Sequence, residues 1–213
     1  MRLRHHWQYL RYVVRHKLFV FCAGVEIGAP LWRLVIHDWS KFLPCEWFPY
    51  TRFFYGLPKV GDRVPVDCID GFGGWGTVID TRNDKNSRYK VRMESGYTGE
   101  GQEFWAHDFE IGGLDEAKAA FDAAWNHHQK CQPHHWQYWL LTMDSGETVP
   151  TPMPEKFIRE MVADWIGAGW AIRNCKSLDE AVRGSREWYS ANSNKMRLSQ
   201  RTRSRVEELL LCR

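Results

Sequence analysis

The sequence has little that would place the protein outside the cell or in a membrane. Its six cysteines lie far apart and include no Cys-x-x-Cys pair, which argues against a zinc ribbon and against a secreted disulfide scaffold. The apolar stretch Leu18 to Ala23 is too short for a signal peptide and follows His, Trp and Arg residues. No segment approaches the roughly 20 apolar residues that span a bilayer. We therefore expect a cytoplasmic protein with reduced, mostly buried thiols and no membrane partner.

A strong charge of one sign is also missing. A net charge of +3 over 213 residues is weak for a dedicated nucleic-acid binder. Basic residues do cluster near both ends of the chain: Arg2, Arg4, Arg11 and Arg15, then Arg197, Arg201, Arg203 and Arg205. Such clusters are typical of a solvated helix face, and the alternative is a patch that binds a polyanion. The sequence is therefore compatible with nucleic acid as a partner.

Most of the chain has apolar residues at intervals of three and four, which predicts amphipathic helices. The clearest is the segment from His5 to Cys22. Further helices are predicted from Glu46 to Tyr55, Leu114 to His128, Glu155 to Ala171, Leu178 to Tyr189 and Leu198 to Leu211. The chain is long enough for one sizeable helical core and a smaller module.

Residues 57–113 have a different pattern, with short alternating runs bounded by Gly, Asp or Asn. This predicts strands joined by hairpins. The strings VGDRV and GWGTV resemble strands of a small SH3-like barrel. We therefore expect a mainly α fold, a discontinuous helical domain of residues 1–56 and 114–213, with an inserted SH3-like β-barrel at residues 57–113.

The histidines are grouped. Eight of the nine lie outside residues 57–113: His5-His6, His16, His37, His127-His128 and His134-His135. A single histidine is more often a core or surface residue than a ligand, but this set together with Asp38 and Asp164 predicts a shared site. Imidazole nitrogen and carboxylate oxygen suit a divalent ion such as manganese, iron, nickel, cobalt, zinc or magnesium.

The order of these residues resembles that of the HD-domain superfamily of metal-dependent phosphohydrolases. The matching positions are His16, His37-Asp38, His127 or His128, His134 or His135, and Asp164, with Lys41 completing an HDxxK signature. The strings HHWQYLRYVVRHK, HDWSKF, WNHHQKCQPHHWQYW and EMVADWIGAG resemble more closely an uncharacterised family of bacterial and phage proteins. This second resemblance covers roughly half of the chain, and the 57–113 insert departs from it. Both imply a helical HD-like domain in a bacterial cell or phage-infected host, with the matching residues as metal ligands.

Several roles follow if a metal is bound. On a helix His37 and Asp38 would point about 100° apart, so both would reach one ion only at a helix edge facing a cleft. Because doublets diverge in the same way, one His of each pair is expected to face the metal. With Asp38, the candidates for catalysis are Lys41, which would neutralise phosphate charge, and Glu46, a general base or an acceptor for a ligand imidazole. The alternatives without a catalytic role are a solvated surface lysine for Lys41 and an ordinary helix-terminus glutamate for Glu46.

Other residues complete the hypothesis. Asn126 and Tyr138, with Lys41, are candidates for substrate contact, whereas His107, beside Asp108, is expected to be structural. The preferred function is hydrolysis of a nucleotide or other phosphate ester. The alternative is a binding module whose insert recognises nucleic acid or a protein, on a helical scaffold held by buried histidines or a structural metal. The sequence is also compatible with a homo-oligomer.

Overall fold

The computed structural model describes residues 2–67, 73–83, 87–95 and 100–211. Helices predominate, and seven α-helices are present in the described part: α1 Leu3–Glu26, α2 Leu31–Ile36, α3 Pro44–Tyr55, α4 Leu114–Cys131, α5 Glu155–Arg173, α6 Leu178–Asn192 and α7 Gln200–Leu211. The predicted helices are therefore confirmed, with ends shifted by a few residues. None of the helices in these described ranges has the length and apolar character needed to cross a bilayer.

The chain divides into two compact units. One consists of Met1–His6 with Phe48–Ala124, and the other of Trp7–Trp47 with Trp125–Arg213. Helices α1, α3 and α4 each have residues in both units. Below, the first is called the sheet unit and the second the helical unit.

The sheet unit contains four antiparallel strands in the order β1-β2-β3-β4. They are β1 Arg63–Val66, β2 Gly74–Thr81, β3 Tyr89–Ser95 and β4 Glu103–Ala106. Burial alternates along β1, so that Val64 and Val66 face a small core while their neighbours are exposed. The register shifts where β2 passes Gly76, whose Cβ, if present, would collide with Val91 on β3.

The predicted SH3-like barrel is not confirmed. Among the residues that the structure describes, β1 pairs with β2 and β4 pairs with β3, and no ladder joins β1 to β4. The sheet is therefore open. In addition, Val66 at the end of β1 forms an isolated antiparallel β-bridge with Ile111. The alternating pattern predicted the strands correctly, but alternation does not determine whether the two edges meet.

The helical unit has its core between α1 and the last three helices. Val20 of α1 lies so close to Gly167 of α5 that a Cβ at position 167 would collide with it. Apolar side chains of α5, α6 and α7 complete this core, for example Ile166, Tyr189 and Val206. Ser177 caps α6 by accepting a hydrogen bond from the backbone N–H of Glu180.

Two features of the helical unit differ from the sequence prediction. A two-stranded hairpin, β5 Leu140–Thr142 and β6 Thr148–Pro150, occupies part of the region predicted as a loop. Its turn needs Gly146, which has a φ of +85°.

The cysteines are the second difference. Cys175 is buried, but Cys22, Cys45 and Cys131 are exposed free thiols, so the expectation of mostly buried thiols was wrong for these three. Cys68 and Cys212 lie outside the described residues.

Candidate metal centre

A cluster of buried histidine and aspartate side chains lies inside the helical unit. Its members come from four places in the chain: His16 from α1, His37 and Asp38 from the segment after α2, His128, His134 and His135 from α4 and the turn after it, and Asp164 from α5. All of them are at least nine-tenths buried. Buried ionisable groups in such number are costly unless they are paired or bind metal.

The His-Asp pair does not lie on a helix, contrary to the sequence expectation. Helix α2 ends at Ile36, His37 has an extended backbone, and Asp38 adopts a left-handed conformation with φ 54° and ψ 25°. A short 3₁₀ helix, Trp39–Phe42, follows. The left-handed turn costs a non-glycine residue about 1–2 kcal/mol. In this conformation the two adjacent side chains face the same point, whereas on a continuous helix they would point about 100° apart.

The first group of possible ligands consists of His16, His37, Asp38 and Asp164. His16 Nε2 lies 3.2 Å from Asp38 Oδ2 and 3.2 Å from Asp164 Oδ1. His37 Nε2 lies 3.4 Å from each of the same two oxygens. One nitrogen or oxygen from each residue lies within 4.8 Å of all the others, so the four side chains can hold one metal ion.

The second group consists of Asp38, His128, His134 and His135, with ligand atoms again within 4.8 Å of one another. Asp38 Oδ1 lies 3.3 Å from His128 Nε2 and 3.3 Å from His134 Nε2. These contacts lack hydrogen-bond geometry: within residues 2–67, 73–83, 87–95 and 100–211, none of these three atoms, nor His135 Nε2, has a hydrogen-bond partner. Four unpartnered polar atoms thus converge on one buried point.

Asp38 belongs to both groups and divides its oxygens between them. Oδ2 faces His16 and His37, whereas Oδ1 faces His128 and His134. Asp38 could therefore be a ligand in both groups. Lys41 Nζ contacts Oδ2 at 2.5 Å, so a cation already lies beside the shared carboxylate.

Glu160 accepts a hydrogen bond from a ligand of the first group and lies close to one of the second. Its Oε1 accepts a hydrogen bond from His37 Nδ1 at 3.2 Å and lies 3.5 Å from His134 Nδ1. Its Oε2 accepts one from Arg33 Nε at 2.6 Å, and the Arg33 guanidinium lies over the ring of Phe157. A carboxylate on Nδ1 fixes the ring tautomer and leaves Nε2 free to bind metal.

Glu46 accepts a hydrogen bond from a ligand of the second group. Its Oε2 accepts hydrogen bonds from His128 Nδ1 at 2.9 Å and from Ser40 Oγ at 3.2 Å. Gln132 Nε2 in turn donates to Ser40 Oγ at 3.1 Å. Glu46 is fully buried, so it is not an ordinary helix-terminus glutamate.

The pKa shifts follow from this crowding. Burial opposes a charge on His37, but the charge of Asp38 and the hydrogen bonds with Asp164 and Glu160 outweigh it and raise its pKa to about 9. Burial likewise opposes a proton on His128, yet Asp38 and Glu46 raise its pKa. The pKa values of Asp38 and Asp164 stay well below the usual range despite burial, because cationic and hydrogen-bonding neighbours stabilise the carboxylates.

The remaining two histidines behave differently. Burial and then the charge on His37 lower the pKa of His134, and burial and then His134 lower that of His135. Both imidazoles are therefore neutral, which is the form that binds a metal.

The structure brings together most of the residues proposed from the sequence. Among the substrate-contact candidates, Lys41 lies in the cluster, whereas Asn126 and Tyr138 are exposed. The first doublet agrees with the expectation of one inward histidine, because His128 is buried in the cluster and His127 is exposed, with its Nδ1 3.6 Å from Cys131 Sγ. The second doublet differs, because His134 and His135 are both buried in the cluster. The second doublet lies in a turn, where neighbouring side chains need not diverge.

The sequence reasoning missed Glu160, Arg33 and Ser40. A signal existed for Glu160, which lies four residues before Asp164 on α5 and therefore on the same helix face. Arg33 and Ser40 flank the His-Asp pair, but nothing in the sequence distinguishes them from surface residues.

Comparison with known proteins gives one result. No curated protein and no solved structure matches the chain. A family model matches residues 5–64 and 85–211, which include every member of the buried cluster. The match also includes most of residues 57–113. The chain therefore belongs to the family described as "Family of unknown function (DUF5662)".

Proposed function

We propose that the protein is a metal-dependent phosphohydrolase that acts on a nucleotide or another phosphate ester. The observation that carries the proposal is the convergence of unpartnered buried atoms: Asp38 Oδ1 and the Nε2 atoms of His128, His134 and His135. Buried polar atoms without partners are rare in folded proteins, and a metal ion would satisfy all four at once.

The charge of the cluster also fits a cation. Four carboxylates are buried there, from Asp38, Glu46, Glu160 and Asp164. Arg33 and Lys41 are the cationic side chains that contact them. The metal-free protein compensates in part, because the pKa of His37 is raised to about 9 and that of His128 is also raised, which favours the protonated imidazoles. Divalent ions would supply the missing charge and replace those protons.

The number of donors supports two ions. The two groups together contain seven residues, and because Asp38 belongs to both, each ion would have four protein ligands. An ion with octahedral preference then keeps positions for water or substrate, whereas a closed structural site does not. The donors are nitrogen and oxygen without thiolate, which favours manganese, iron, cobalt, nickel, zinc or magnesium over copper(I).

Divalent ions bound here would lower the pKa of a water molecule and polarise a phosphoryl oxygen. Lys41 would bind the phosphate, since its ammonium group is a compact positive charge. Burial opposes the charge of Lys41, but the charges of Asp38 and Asp164 outweigh it and raise the pKa, so Lys41 remains cationic.

The cluster is not completely closed to solvent. The side chains of Lys41 and Asp164 each keep 12% of their surface exposed, whereas those of His37, His128 and His134 have none. A substrate phosphate would approach beside Lys41, which contacts the shared Asp38 carboxylate.

The finer assignments belong to the same proposal. The order His16, His37-Asp38, His128, His134 and Asp164, with Lys41, supports membership of the HD-domain superfamily. The four-stranded sheet is compatible with an SH3-like fold in which the barrel does not close, and we propose that the sheet has a structural role. Its exposed basic side chains are largely neutralised, with Arg63 paired to Glu94 and both Lys90 and Arg92 paired to Glu103. This favours the hydrolase over the binding module as first candidate.

The test combines metal analysis with turnover. Purified protein should contain close to two equivalents of transition metal, or take them up when manganese or cobalt is added. It should then hydrolyse a generic phosphoester or a nucleotide. Asp38→Ala should lose both properties, and Asp108→Ala, the same change in the other His-Asp pair, should lose neither. If wild-type protein binds no metal and turns over no phosphoester, the hydrolase is refuted and the binding module takes its place.

A further inference from the structure

The surface formed by α1 and α2 has a row of exposed apolar side chains that nothing in the described part of the chain covers. On α1 the row consists of Val14, Leu18, Phe21 and Val25, at intervals of four, three and four residues. Leu31 and Val35, one turn apart on α2, are also exposed. These six side chains are called the α1–α2 apolar face. It lies entirely within the helical unit.

The two rows form one continuous face. Leu34 of α2 lies against Gly24 of α1, where a Cβ would collide with it, and Lys17 Nζ donates to the carbonyl oxygen of Val35 at 3.3 Å. At 100° per residue, Phe21 lies 40° further round α1 than Lys17, so the α1 row borders α2. Leu31 and Val35 lie on the side of α2 away from Arg33, whose side chain turns to Glu160 of α5.

The face is as large as the largest apolar patch of a typical monomer, and such patches are often functional. Its six members are between 38% and 63% exposed. Together they offer on the order of 500 Å² of apolar surface. One partner of a standard interface contributes about 800 Å², so the six side chains would form the apolar centre of such an interface.

We propose that a second copy of this chain covers the α1–α2 apolar face, with the two α1 helices packed antiparallel. Spacing of four, three and four is the seam of helix-on-helix packing, which a lipid surface does not require. A two-fold axis that places Leu18 opposite the partner subunit's Phe21 also places Val14 opposite the partner subunit's Val25. All four positions of the seam are then matched by apolar residues.

Charge agrees with the same register. Arg11 lies one heptad before Leu18 on the seam and would otherwise interrupt it. In the antiparallel pair Arg11 reaches the C-terminal end of the partner's α1 helix, close to the partner subunit's Glu26. The last carbonyl groups of a helix carry partial negative charge, so a cation there is stabilising.

The first measurement is the oligomeric state of the full chain by light scattering and sedimentation velocity. Wild-type protein should have twice the chain mass at micromolar concentration. Leu18→Glu should weaken self-association by about 100-fold, because it buries a charge at the centre of the seam. Ile172→Glu is the matched control: Ile172 is 71% exposed on α5, outside the face, so this variant should remain dimeric. Circular dichroism verifies that both variants are folded.

A mixing experiment tests the register. Leu18→Glu and Phe21→Lys chains should each be monomeric alone. An equimolar mixture should form a heterodimer, because the carboxylate introduced at position 18 of one chain then meets the ammonium group introduced at position 21 of the other. At the second contact of the seam the native Phe21 and Leu18 still meet.

Three outcomes would overturn the proposal or part of it. A mixture that stays monomeric overturns the antiparallel register. Wild-type protein that is monomeric up to roughly 100 μM, or that binds anionic vesicles as a monomer, overturns the proposed partner. A Leu18→Glu variant that remains dimeric does the same, because the interface would then lie elsewhere.

Discussion

The two His-Asp dipeptides of this chain share a sequence and little else. His37 and Asp38 are buried in the helical unit, and their polar atoms lie within 3.4 Å of imidazole or carboxylate groups from distant parts of the chain. In the sheet unit, His107 precedes a 3₁₀ helix, and Asp108 makes a salt bridge of 2.6 Å with Arg88. The dipeptide itself is therefore uninformative, and its surroundings decide whether it can bind metal.

The two units also treat charge differently. In the sheet unit, acidic groups lie at the surface beside an arginine or lysine, where solvent screens the ion pair and leaves it a weak contribution to stability. In the helical unit, carboxylates are buried together, and some of their atoms and those of neighbouring imidazoles have no hydrogen-bond partner among the described residues. Such burial is unfavourable for stability alone, which supports our proposal that the cluster binds metal.

The largest difference between the two His-Asp dipeptides is expected between the variants Asp38→Asn and Asp108→Asn. The first change removes the negative charge shared by both ligand groups, and we expect metal affinity to fall by at least about 100-fold at both sites. The second should leave metal affinity unchanged, because Asp108 contacts Arg88 and none of the cluster. Titration with a chromophoric chelator measures both. Equal effects of the two changes would show that the buried cluster is not the metal site.

Glu160→Gln and Glu46→Gln sharpen the comparison within the helical unit. Glu160 contacts imidazoles of both groups, so its loss should reduce affinity for both ions, by about 10- to 100-fold. Among the described ligand imidazoles, Glu46 is hydrogen-bonded to that of His128, so its loss should affect one ion and leave the other. Both residues are buried and both changes are isosteric, which makes each the control for the other. Metal stoichiometry at a limiting concentration distinguishes loss of one ion from loss of two.

Part of this site is predictable from the sequence. The order of histidines and aspartates predicted that His16, His37 and Asp164 would meet, and the structure places them together. The pattern could not show that Asp38 leaves the helical conformation, because left-handed backbone at a non-glycine residue depends on tertiary contacts. Glu160 was missed because a buried acidic residue on an amphipathic helix looks the same in sequence as an exposed one.

The fold shows the same limit. The helix periodicity and the alternation of the strands both predicted the right elements. Whether the sheet closes depends on contacts between β1 and β4, which are roughly 40 residues apart. No local pattern carries that information.

A smaller effect is expected from pH on the metal-free protein. The pKa of His37 is about 9 in the folded state against an ordinary value of 6.5, so protonated His37 stabilises the fold fully below about pH 6.5. That stabilisation, on the order of 3 kcal/mol, is lost as the pH rises through about 9. Thermal melts of chelator-treated protein between pH 6 and 10 measure it, and His107→Gln is the control that should retain the trend. Metal-loaded protein should show the opposite slope, because protons compete with the ion for His37.

The smallest effect should come from the sheet unit. Asp108→Ala removes the salt bridge with Arg88, whose partners are partly exposed at 31% and 16% of their side-chain surface. We expect a loss of about 1 kcal/mol in the free energy of unfolding, because solvent screens such a pair. Chemical denaturation measures this loss, and Arg88→Ala should give a similar one, since either change leaves the same pair broken. A loss of several kcal/mol, or any loss of metal, would mean that the second His-Asp dipeptide has a role that its surface salt bridge does not explain.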